Sequence, residues 1–167
     1  MDEKVIIKFV KTHPDAKLPT KAHDGDNCYD LYCCERTVVP ASKVTVAVDL
    51  DTFKPYDTFQ VGQALIPVGL TVAYISPGFG FATKNKSGLS FKHLLQRVAG
   101  EMDNGYRGDV GVKLLNFSDK DYVFEVGDKV TQFKVEKIYH TSVSFTDTIE
   151  EALDARGEGG FGSSGKQ

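Results

Sequence analysis

Short apolar runs, partly alternating with polar residues, recur along the chain and are separated by Gly, Pro, Asp and Asn. Val, Ile, Phe and Tyr are frequent in these runs, and both this composition and a period of two favour β-strands. We predict strands at residues 5–11, 37–40, 44–50, 70–75, 110–117 and within 121–140. Several short strands separated by turn residues indicate an all-β domain, either a barrel or a sandwich.

Other segments depart from the strand pattern. The run GLSFKHLLQ, which follows Ser87, has apolar residues at helical spacing and predicts a short helix, and EEALDA at 150–155 predicts a further helical turn. The stretch RGEGGFGSSG at 156–165 is rich in glycine and has no apolar face to offset the entropy lost on ordering. We therefore expect a domain over residues 1–150 and a flexible arm over residues 151–167.

Composition narrows the class of protein. The 167 residues are 41% hydrophobic and 26% charged, which is typical of one globular domain. A net charge of −3 and a pI near 5.8 argue against stable nucleic-acid binding, so a polyanionic ligand would have to meet local positive charge. No apolar run is long enough to span a bilayer, and MDEKVIIKFVK lacks a signal-peptide pattern. We expect a cytoplasmic or nuclear protein with no membrane partner.

The three cysteines, Cys28, Cys33 and Cys34, lie close together in the sequence. No Cys/His pair follows them, which argues against a zinc site. Buried thiols are expected instead.

A first candidate for chemistry is the segment GEMDNGYRGDVGVKLLN at 100–116. Asn-Gly between two strand-like flanks predicts a tight hairpin turn. The turn presents a carboxylate, Asp103, followed by Tyr106 and Arg107. On residue types alone, a structural hairpin and a binding site are equally good interpretations.

Two further segments carry polar groups suited to ions. In KNKSGLSFKH at 84–93, a Ser-Gly pair beside Lys86 offers a hydroxyl, backbone N–H groups and positive charge to an anion, although Ser before a helix is commonly an N-cap. Asp24, Asp26 and Asp30 suit a hard divalent cation, but the first two are also typical turn residues.

VGDKVTQF at 126–133 places Gln132 in a predicted strand, where a Gln is most often exposed to solvent. The four histidines have no nucleophile partnered to them in a local motif. This argues against acyl-transfer chemistry on a serine or cysteine.

Taken in order, five segments resemble the five motifs of the trimeric dUTPases: NCYDL, KSGLS, GEMDNGYRGDV, GDKVTQF and RGEGGFGSSG. The resemblance covers most of residues 25–165, and the third and fifth motifs are specific. It implies an all-β, jelly-roll-like distorted barrel with a flexible C-terminal arm, assembled as a homotrimer with active sites shared between subunits. The implied reaction is hydrolysis of dUTP to dUMP and pyrophosphate, which limits uracil incorporation into DNA and supplies dUMP for dTTP synthesis.

The resemblance also implies roles for matched positions around the reacting phosphorus and the nucleoside. Asp103 would activate the water that attacks the α-phosphorus. Tyr106 would lie under the deoxyribose and exclude a ribose 2′-hydroxyl, while the backbone from Gly100 to Tyr106 would read the uracil edge. Asp30 would orient waters on Mg²⁺, the implied cofactor.

Further matched positions would bind the triphosphate. Lys86, Ser87 and Gly88 of a neighbouring subunit would hold the phosphates, and Gln132 would assist. The resemblance implies that the arm closes over the substrate, with Phe161 stacked on the uracil and the other arm residues on the triphosphate: Arg156, Gly162, Ser163, Ser164 and Gly165.

The sequence departs from the family pattern at several points. Cys28 stands where the first motif usually has Gly, and Lys86 and Lys129 stand where Arg is usual, which keeps the charge but loses a bidentate fork. Residues 44–60 look like extra length, forming an added hairpin or loop, and are a candidate surface for a protein partner.

Two alternatives stay open. A dCTP deaminase of the same superfamily needs a catalytic Glu in the strand after the third-motif turn, and VGVKLLNF has none. A non-catalytic, nucleotide-responsive interaction protein would use residues 52–60 as its docking surface. Asp103, Tyr106 and the complete fifth motif favour an active enzyme.

Overall fold

The computed structural model describes residues 4–148, which form twelve β-strands and one short helix. The strands are β1 (Ile7–Lys11), β2 (Cys28–Tyr32), β3 (Thr37–Val39), β4 (Lys43–Val48), β5 (Pro55–Gln60), β6 (Gly62–Ile75), β7 (Phe79–Lys84), β8 (Leu95–Val98), β9 (Glu101–Met102), β10 (Asp109–Asn116), β11 (Tyr122–Phe124) and β12 (Lys129–Lys137). The helix, α1 (Ser87–His93), lies between β7 and β8.

Two four-stranded antiparallel sheets make up the body of the protein. One has the order β1-β6-β10-β8 and the other the order β2-β12-β7-β9. Two smaller sheets pair β3 with β11 and β4 with β5. Within residues 4–148 neither large sheet closes on itself, so the distorted barrel expected from the sequence is open. The predicted all-β, jelly-roll-like fold is confirmed.

The core lies between the two large sheets and follows from the alternation of apolar residues. In β10, Val110, Val112 and Leu114 are buried while the residues between them face outwards or lie at the surface. An aromatic cluster joins the sheets, because the ring of Phe9 on β1 packs edge-on against Phe81 and Phe133 of the other sheet. Burying these side chains is the main favourable term that holds the layers together.

The predicted strands are confirmed, with β6 longer than expected. The helix after Ser87 is also confirmed, but it is shorter than the apolar pattern suggests. Leu94 adopts a left-handed conformation with φ of 54° and ends the helix, and Leu95 begins β8. The side chain of Leu95 is fully buried and its backbone pairs with Asn116, so tertiary packing overrides the helical pattern there.

The prediction of a tight hairpin at Asp103 to Gly105 is wrong. The flanking strands do not pair with each other, since β9 pairs with β7 whereas β10 pairs with β6 and β8. The local turn exists, with the amide of Tyr106 donating to the carbonyl of Asp103 at 3.0 Å. It carries the chain from one large sheet to the other instead of folding a strand back on itself.

The extra segment at 44–60 is a hairpin, one of the two forms expected from the sequence. Strands β4 and β5 pair in register, with Val44 opposite Phe59 and Val48 opposite Pro55. The turn is held by Asp49, whose carboxylate accepts hydrogen bonds from the amides of Asp51 and Thr52 at 3.0 and 2.7 Å. One face of this hairpin is apolar and exposed, and its use as a partner surface stays a prediction.

No helix between residues 4 and 148 has the length and apolar character needed to cross a membrane. The predicted helical turn at 150–155 and the arm after residue 150 lie outside the described residues.

Candidate active site

Asp30, the carboxylate expected near the metal, lies on β2 between two lysines. Its side chain is only 8% exposed. One carboxylate oxygen is 3.0 Å from Nζ of Lys86, which directly precedes α1, and the other is 2.6 Å from Nζ of Lys129 on β12. The cluster of Asp30, Lys86 and Lys129, here called the lysine cluster, carries one negative and two positive charges, and is therefore electropositive overall.

The pairing decides the ionisation state of Asp30. Burial alone would raise the pKa of its carboxyl, but hydrogen bonds and charge from Lys129 and Lys86 outweigh burial and hold that pKa below its ordinary value. The same contact with Asp30 raises the pKa of Lys129. Asp30 and Lys129 are therefore both charged at neutral pH.

The lysine cluster opens onto a cavity of about 290 Å³, here called the lysine cavity. Gln132 also lines it, from the strand between Asp30 and Lys84, and its amide donates to the carbonyl of Asn85 at 3.2 Å. Ser87 and Gly88 follow Lys86 as the exposed first residues of α1. The first N–H groups of a helix have no partner within the helix, and a Cβ on Gly88 would meet no atom within 4 Å. Positive charge and open N–H groups thus lie together.

Asp103 lies on the turn between β9 and β10, and its neighbour Asn104 fixes that turn. The Asn104 amide nitrogen lies 3.3, 2.8 and 2.9 Å from the backbone carbonyl oxygens of Ile75, Ser76 and Phe79. The turn is thereby tied to the connection between β6 and β7. The Asp103 side chain itself is exposed and has no hydrogen-bond or ionic partner among residues 4–148.

Other side chains brace the same turn. The Arg107 guanidinium donates to the carbonyls of Asn104 and Tyr106, both at 2.7 Å, and the Tyr106 hydroxyl donates to the carbonyl of Asp109 at 2.8 Å. Gly108 leaves room for the tyrosine ring, because a Cβ there would lie 2.5 Å from its hydroxyl.

Gly100 and Tyr106 line a second cavity of about 310 Å³, here called the turn cavity. Gly100 has a φ of +110°, and a Cβ on it would lie 1.8 Å from the hydroxyl of Thr83. No other residue fits this position without moving the backbone. The carbonyl of Gly100 accepts from the amide of Thr83 at 2.9 Å, which fixes the backbone beside the cavity.

Within one chain, the predicted site residues fall into two groups. Asp30, Lys86 and Gln132 line the lysine cavity with Ser87 and Gly88 beside it, whereas Gly100 and Tyr106 line the turn cavity next to Asp103. The two cavities share no lining residue. Arg156, Phe161, Gly162, Ser163 and Ser164 lie outside the described residues.

Two residues of the site were not in the set selected from the sequence. Lys129 was noted only as a departure from the family pattern, and the structure adds it to the cluster around Asp30. The sequence predicts Asn104 only as a turn residue, and its side-chain amide next to Asp103 is the one signal that could have identified it. The sequence does not show the three carbonyl groups that the Asn104 amide contacts, because they lie 25 to 29 residues away in the chain.

The residues of the lysine cavity fit a magnesium ion that arrives with a phosphate ligand. Mg²⁺ keeps several waters and commonly takes one or two carboxylates together with substrate phosphates, so it needs no preformed cage of side chains. Asp30 is one such carboxylate, and because both its oxygens contact ammonium groups, it would reach the ion through bound water. Asp24 is exposed, and Asp26 caps its own turn by accepting from the amide of His23 at 2.9 Å.

Comparison with known proteins identifies the group to which this fold and site belong. A model of the dUTPase family matches residues 59–165. The chain is 37% identical to the deoxyuridine 5′-triphosphate nucleotidohydrolase of Kluyveromyces lactis over 161 residues, covering 96% of this chain and 94% of that one. It is 31% identical to the enzyme of the same name from Helicobacter pylori over 161 residues, covering 95% and 96%.

Solved structures agree on the fold. The dUTPase of Staphylococcus bacteriophage 80alpha, solved with dUPNHPP, superposes with a TM-score of 0.74 at 21% identity, covering 96% of this chain and 99% of that chain. A dUTPase from phage phi11 of S. aureus, in which a structural Mg(II) ion is coordinated, superposes with a TM-score of 0.68 at 19% identity, covering 87% and 99%. From the family match and the two curated relatives, this chain belongs to the dUTPase family.

Proposed function

We propose that this protein hydrolyses dUTP to dUMP and pyrophosphate. The observation that carries the proposal is the Asp103 turn: an exposed, unpaired carboxylate on a backbone that Asn104 ties to three carbonyls, beside the turn cavity. A general base must be free to accept a proton and must be held in place, and this position meets both needs. The names of the relatives from K. lactis and H. pylori describe the same activity.

Asp103 accepts a proton from the water that attacks the α-phosphorus, the bond from that phosphorus to the bridging oxygen breaks, and pyrophosphate leaves. Such a transfer depends mainly on positioning and on charge that offsets the developing negative charge. The nucleoside occupies the turn cavity, with Gly100 beside the base. Tyr106 lies under the deoxyribose and excludes a 2′-hydroxyl by steric clash.

The phosphates bind at the lysine cavity, to Lys86, Ser87 and Gly88 with help from Gln132. Because the two cavities of one chain share no residue, we propose that the lysine cavity of one subunit meets the turn cavity of another, in a homotrimer. Arg156, Ser163 and Ser164 of the arm then close on the triphosphate with Gly162, while Phe161 covers the uracil.

We propose Mg²⁺ as the cofactor, held through water by Asp30 and directly by the phosphates. When bound, the ion offsets negative charge on the triphosphate. Asp30 also holds the ammonium groups of Lys86 and Lys129 at the cavity. The same carboxylate would orient the waters of the bound ion.

The experiment is to incubate the full chain with dUTP and Mg²⁺ and to separate the products by anion-exchange chromatography. Equal amounts of dUMP and pyrophosphate are expected, with much slower turnover of UTP. Release of ammonia from dCTP would instead identify a deaminase. Absence of any nucleotide product, with nucleotide binding retained, would favour a non-catalytic interaction protein. Analytical ultracentrifugation tests the trimer separately.

A further inference from the structure

Three side chains of metal-binding type converge at a place that neither the lysine cavity nor the turn cavity includes. They are His13, in the loop after β1, and Cys34 and Glu35, just after β2. Their ligand atoms all lie within 4.8 Å of one another. They line a cavity of about 250 Å³ whose far side is formed by β6 and β10.

The Cys34 thiol is the first sign of a ligand site. The residue is 1% exposed, lines the cavity, and its side chain makes no hydrogen bond to another residue of the described chain. Its neighbour Cys33 differs, because that thiol donates to the carbonyl of Glu35 at 2.7 Å. The Cys34 thiol thus lines the cavity beside His13 and Glu35 without a competing hydrogen bond to another described residue.

Backbone geometry holds the histidine and this thiol together. Gly69 on β6 has a φ of +64°, and a Cβ there would lie 2.5 Å from Cβ of His13 and 3.2 Å from Sγ of Cys34. Only glycine permits this approach. The amide of Cys34 also donates to the carbonyl of Pro67 on the same strand at 2.9 Å.

The separation of the nitrogen and oxygen ligand atoms is close to that around a tetrahedral ion. Nε2 of His13 lies 3.5 Å from a carboxylate oxygen of Glu35. Two nitrogen or oxygen ligands about 2.05 Å from zinc at the tetrahedral angle are separated by about 3.3 Å. A shift of a few tenths of an ångström would bring these two atoms to that separation.

Asp15 is the neighbour of His13 that could become the outer partner that a metal-bound imidazole commonly has. Nδ1 of His13 now accepts from the amide of Asp15 at 3.1 Å, and a carboxylate oxygen of Asp15 lies 4.0 Å from the same nitrogen. When a metal binds Nε2, the ring proton moves to Nδ1, the bond from the Asp15 amide is lost, and the Asp15 carboxylate must move closer to accept from Nδ1. Carboxylate, imidazole and metal in this order form a recurrent arrangement in zinc proteins.

We propose that His13 Nε2, Cys34 Sγ and a carboxylate oxygen of Glu35 bind a Zn²⁺ ion, with water in the fourth position. Thiolate and imidazole favour zinc over magnesium, which prefers oxygen ligands. The ion joins the loop after β1 to the end of β2 and is structural. This departs from the expectation based on the cysteine spacing, which considered only residues that follow the cysteines, whereas His13 precedes them.

Binding replaces the S–H bond of Cys34 by an S–Zn bond and releases one proton, with no change of oxidation state.

Cobalt is the probe, since Co²⁺ adopts zinc-like geometry and is coloured. The full chain, without nucleotide, is titrated with Co²⁺ and then with Zn²⁺. One equivalent should give the visible bands of tetrahedral cobalt and a near-ultraviolet band of sulfur-to-cobalt charge transfer, and Zn²⁺ should remove both. Octahedral cobalt bands without the sulfur band would overturn the proposal.

The three cysteines provide matched variants. Cys34→Ser should abolish the sulfur band, while Cys33→Ser and Cys28→Ser should keep it. Loss of the band in Cys28→Ser alone would assign the sulfur ligand to the lysine cavity, which Cys28 lines, and would overturn the proposal.

A second variant, at an exposed side chain, tests the site even if the buried Cys34→Ser variant does not fold. The Glu35 side chain is 59% exposed, and Glu35→Gln keeps the carbonyl that Cys33 contacts. We expect at least about tenfold weaker Co²⁺ binding. If Glu35→Gln bound Co²⁺ with the affinity of the parent, Glu35 would not be a ligand. Hydrolysis of dUTP should be unchanged in Glu35→Gln, whose side chain lines neither the lysine cavity nor the turn cavity, so the test is independent of the proposed function.

Discussion

Asp30 and Asp103, the two carboxylates selected from the sequence, lie in opposite surroundings. Asp30 is buried in a strand and contacts two ammonium groups at 2.6 and 3.0 Å. Asp103 is exposed on a turn and has no partner among residues 4–148. In the first case the side chain is fixed and the charge is neutralised; in the second the backbone is fixed and the side chain is free.

This difference separates two tasks. A carboxylate that already contacts two cations is poorly suited to take up a proton, but it can hold those cations where an anion will bind. An unpaired carboxylate can accept a proton, provided that the chain around it does not move. Asn104 supplies that constraint through hydrogen bonds to carbonyls, without using the carboxylate itself.

The largest effect is expected for Asp103→Asn. The amide keeps the shape of the side chain but does not accept the water's proton, so kcat should fall by about 10²-fold to 10⁴-fold. Binding of a non-hydrolysable dUTP analogue and the free energy of unfolding should change little. Steady-state kinetics, calorimetric titration and urea unfolding measure the three quantities. Turnover at the parent rate would show that another group is the base.

The next prediction tests whether Asn104 holds the turn that carries Asp103. Asn104→Ala removes the hydrogen bonds to Ile75, Ser76 and Phe79 and lets the turn move, and kcat should fall by about 10-fold to 100-fold. The control is Gly105→Ala in the same turn, where an added Cβ meets no atom within 4 Å. A kcat in Asn104→Ala equal to that of Gly105→Ala would contradict a positioning role.

Asp30→Asn should act on stability as well as on activity. It leaves the ammonium groups of Lys86 and Lys129 without their anion, and because those groups are partly exposed, the free energy of unfolding should fall by only about 1–2 kcal/mol. Asp24→Asn, at an exposed position, is the control and should lie within about 0.5 kcal/mol of the parent. Equal urea midpoints for both variants would show that the cluster adds nothing to stability.

The same cluster predicts a dependence on pH. Since the pKa of Asp30 is lowered on folding from its ordinary value of 3.8, its contribution is complete above about pH 4 and is lost as the pH falls through the lowered pKa. The pKa of Lys129 is raised from 10.5, so its contribution is complete below that pH and is lost at higher pH. Urea unfolding between pH 2 and 5 should show a smaller loss in Asp30→Asn than in the parent, and parallel curves would contradict the assignment.

Part of the fold could be predicted from the sequence because strands such as β10 alternate between buried and exposed residues, whereas β4 is exposed and β7 is buried almost throughout. Val110, Val112 and Leu114 alternate with surface residues, and that period suffices to predict β10. The end of α1 could not be predicted, since Leu94 and Leu95 continue the apolar pattern. Only the burial of Leu95 against the sheet explains why a strand begins there.

For the site, residue types identified candidate side chains but not the residues that contact them. Asp103 and Tyr106 were candidates because a carboxylate and an aromatic lie at a predicted turn, and their roles are implied by the resemblance to the dUTPase motifs. The pairing of Asp30 with Lys86 spans 56 residues, and no local pattern encodes a contact of that separation. The false hairpin at Asn104 has the same origin, because a turn signal does not say which strands pair on either side of it.

The smallest effect concerns Lys86→Arg, at a position where the resemblance implies Arg. A guanidinium can keep the contact with Asp30 and offer two parallel N–H groups to a phosphate, whereas the ammonium acts as a point charge. We expect KM for dUTP to fall by about two- to threefold with kcat unchanged, because the contact is equally strong in the ground and transition states. Lys84→Arg is the control, since Nζ of Lys84 lies 2.8 Å from Glu136 and the residue does not line the lysine cavity. A KM that falls equally in both variants would reflect general charge steering, and a KM that rises in Lys86→Arg alone would mean that the lysine cluster is shaped for an ammonium group.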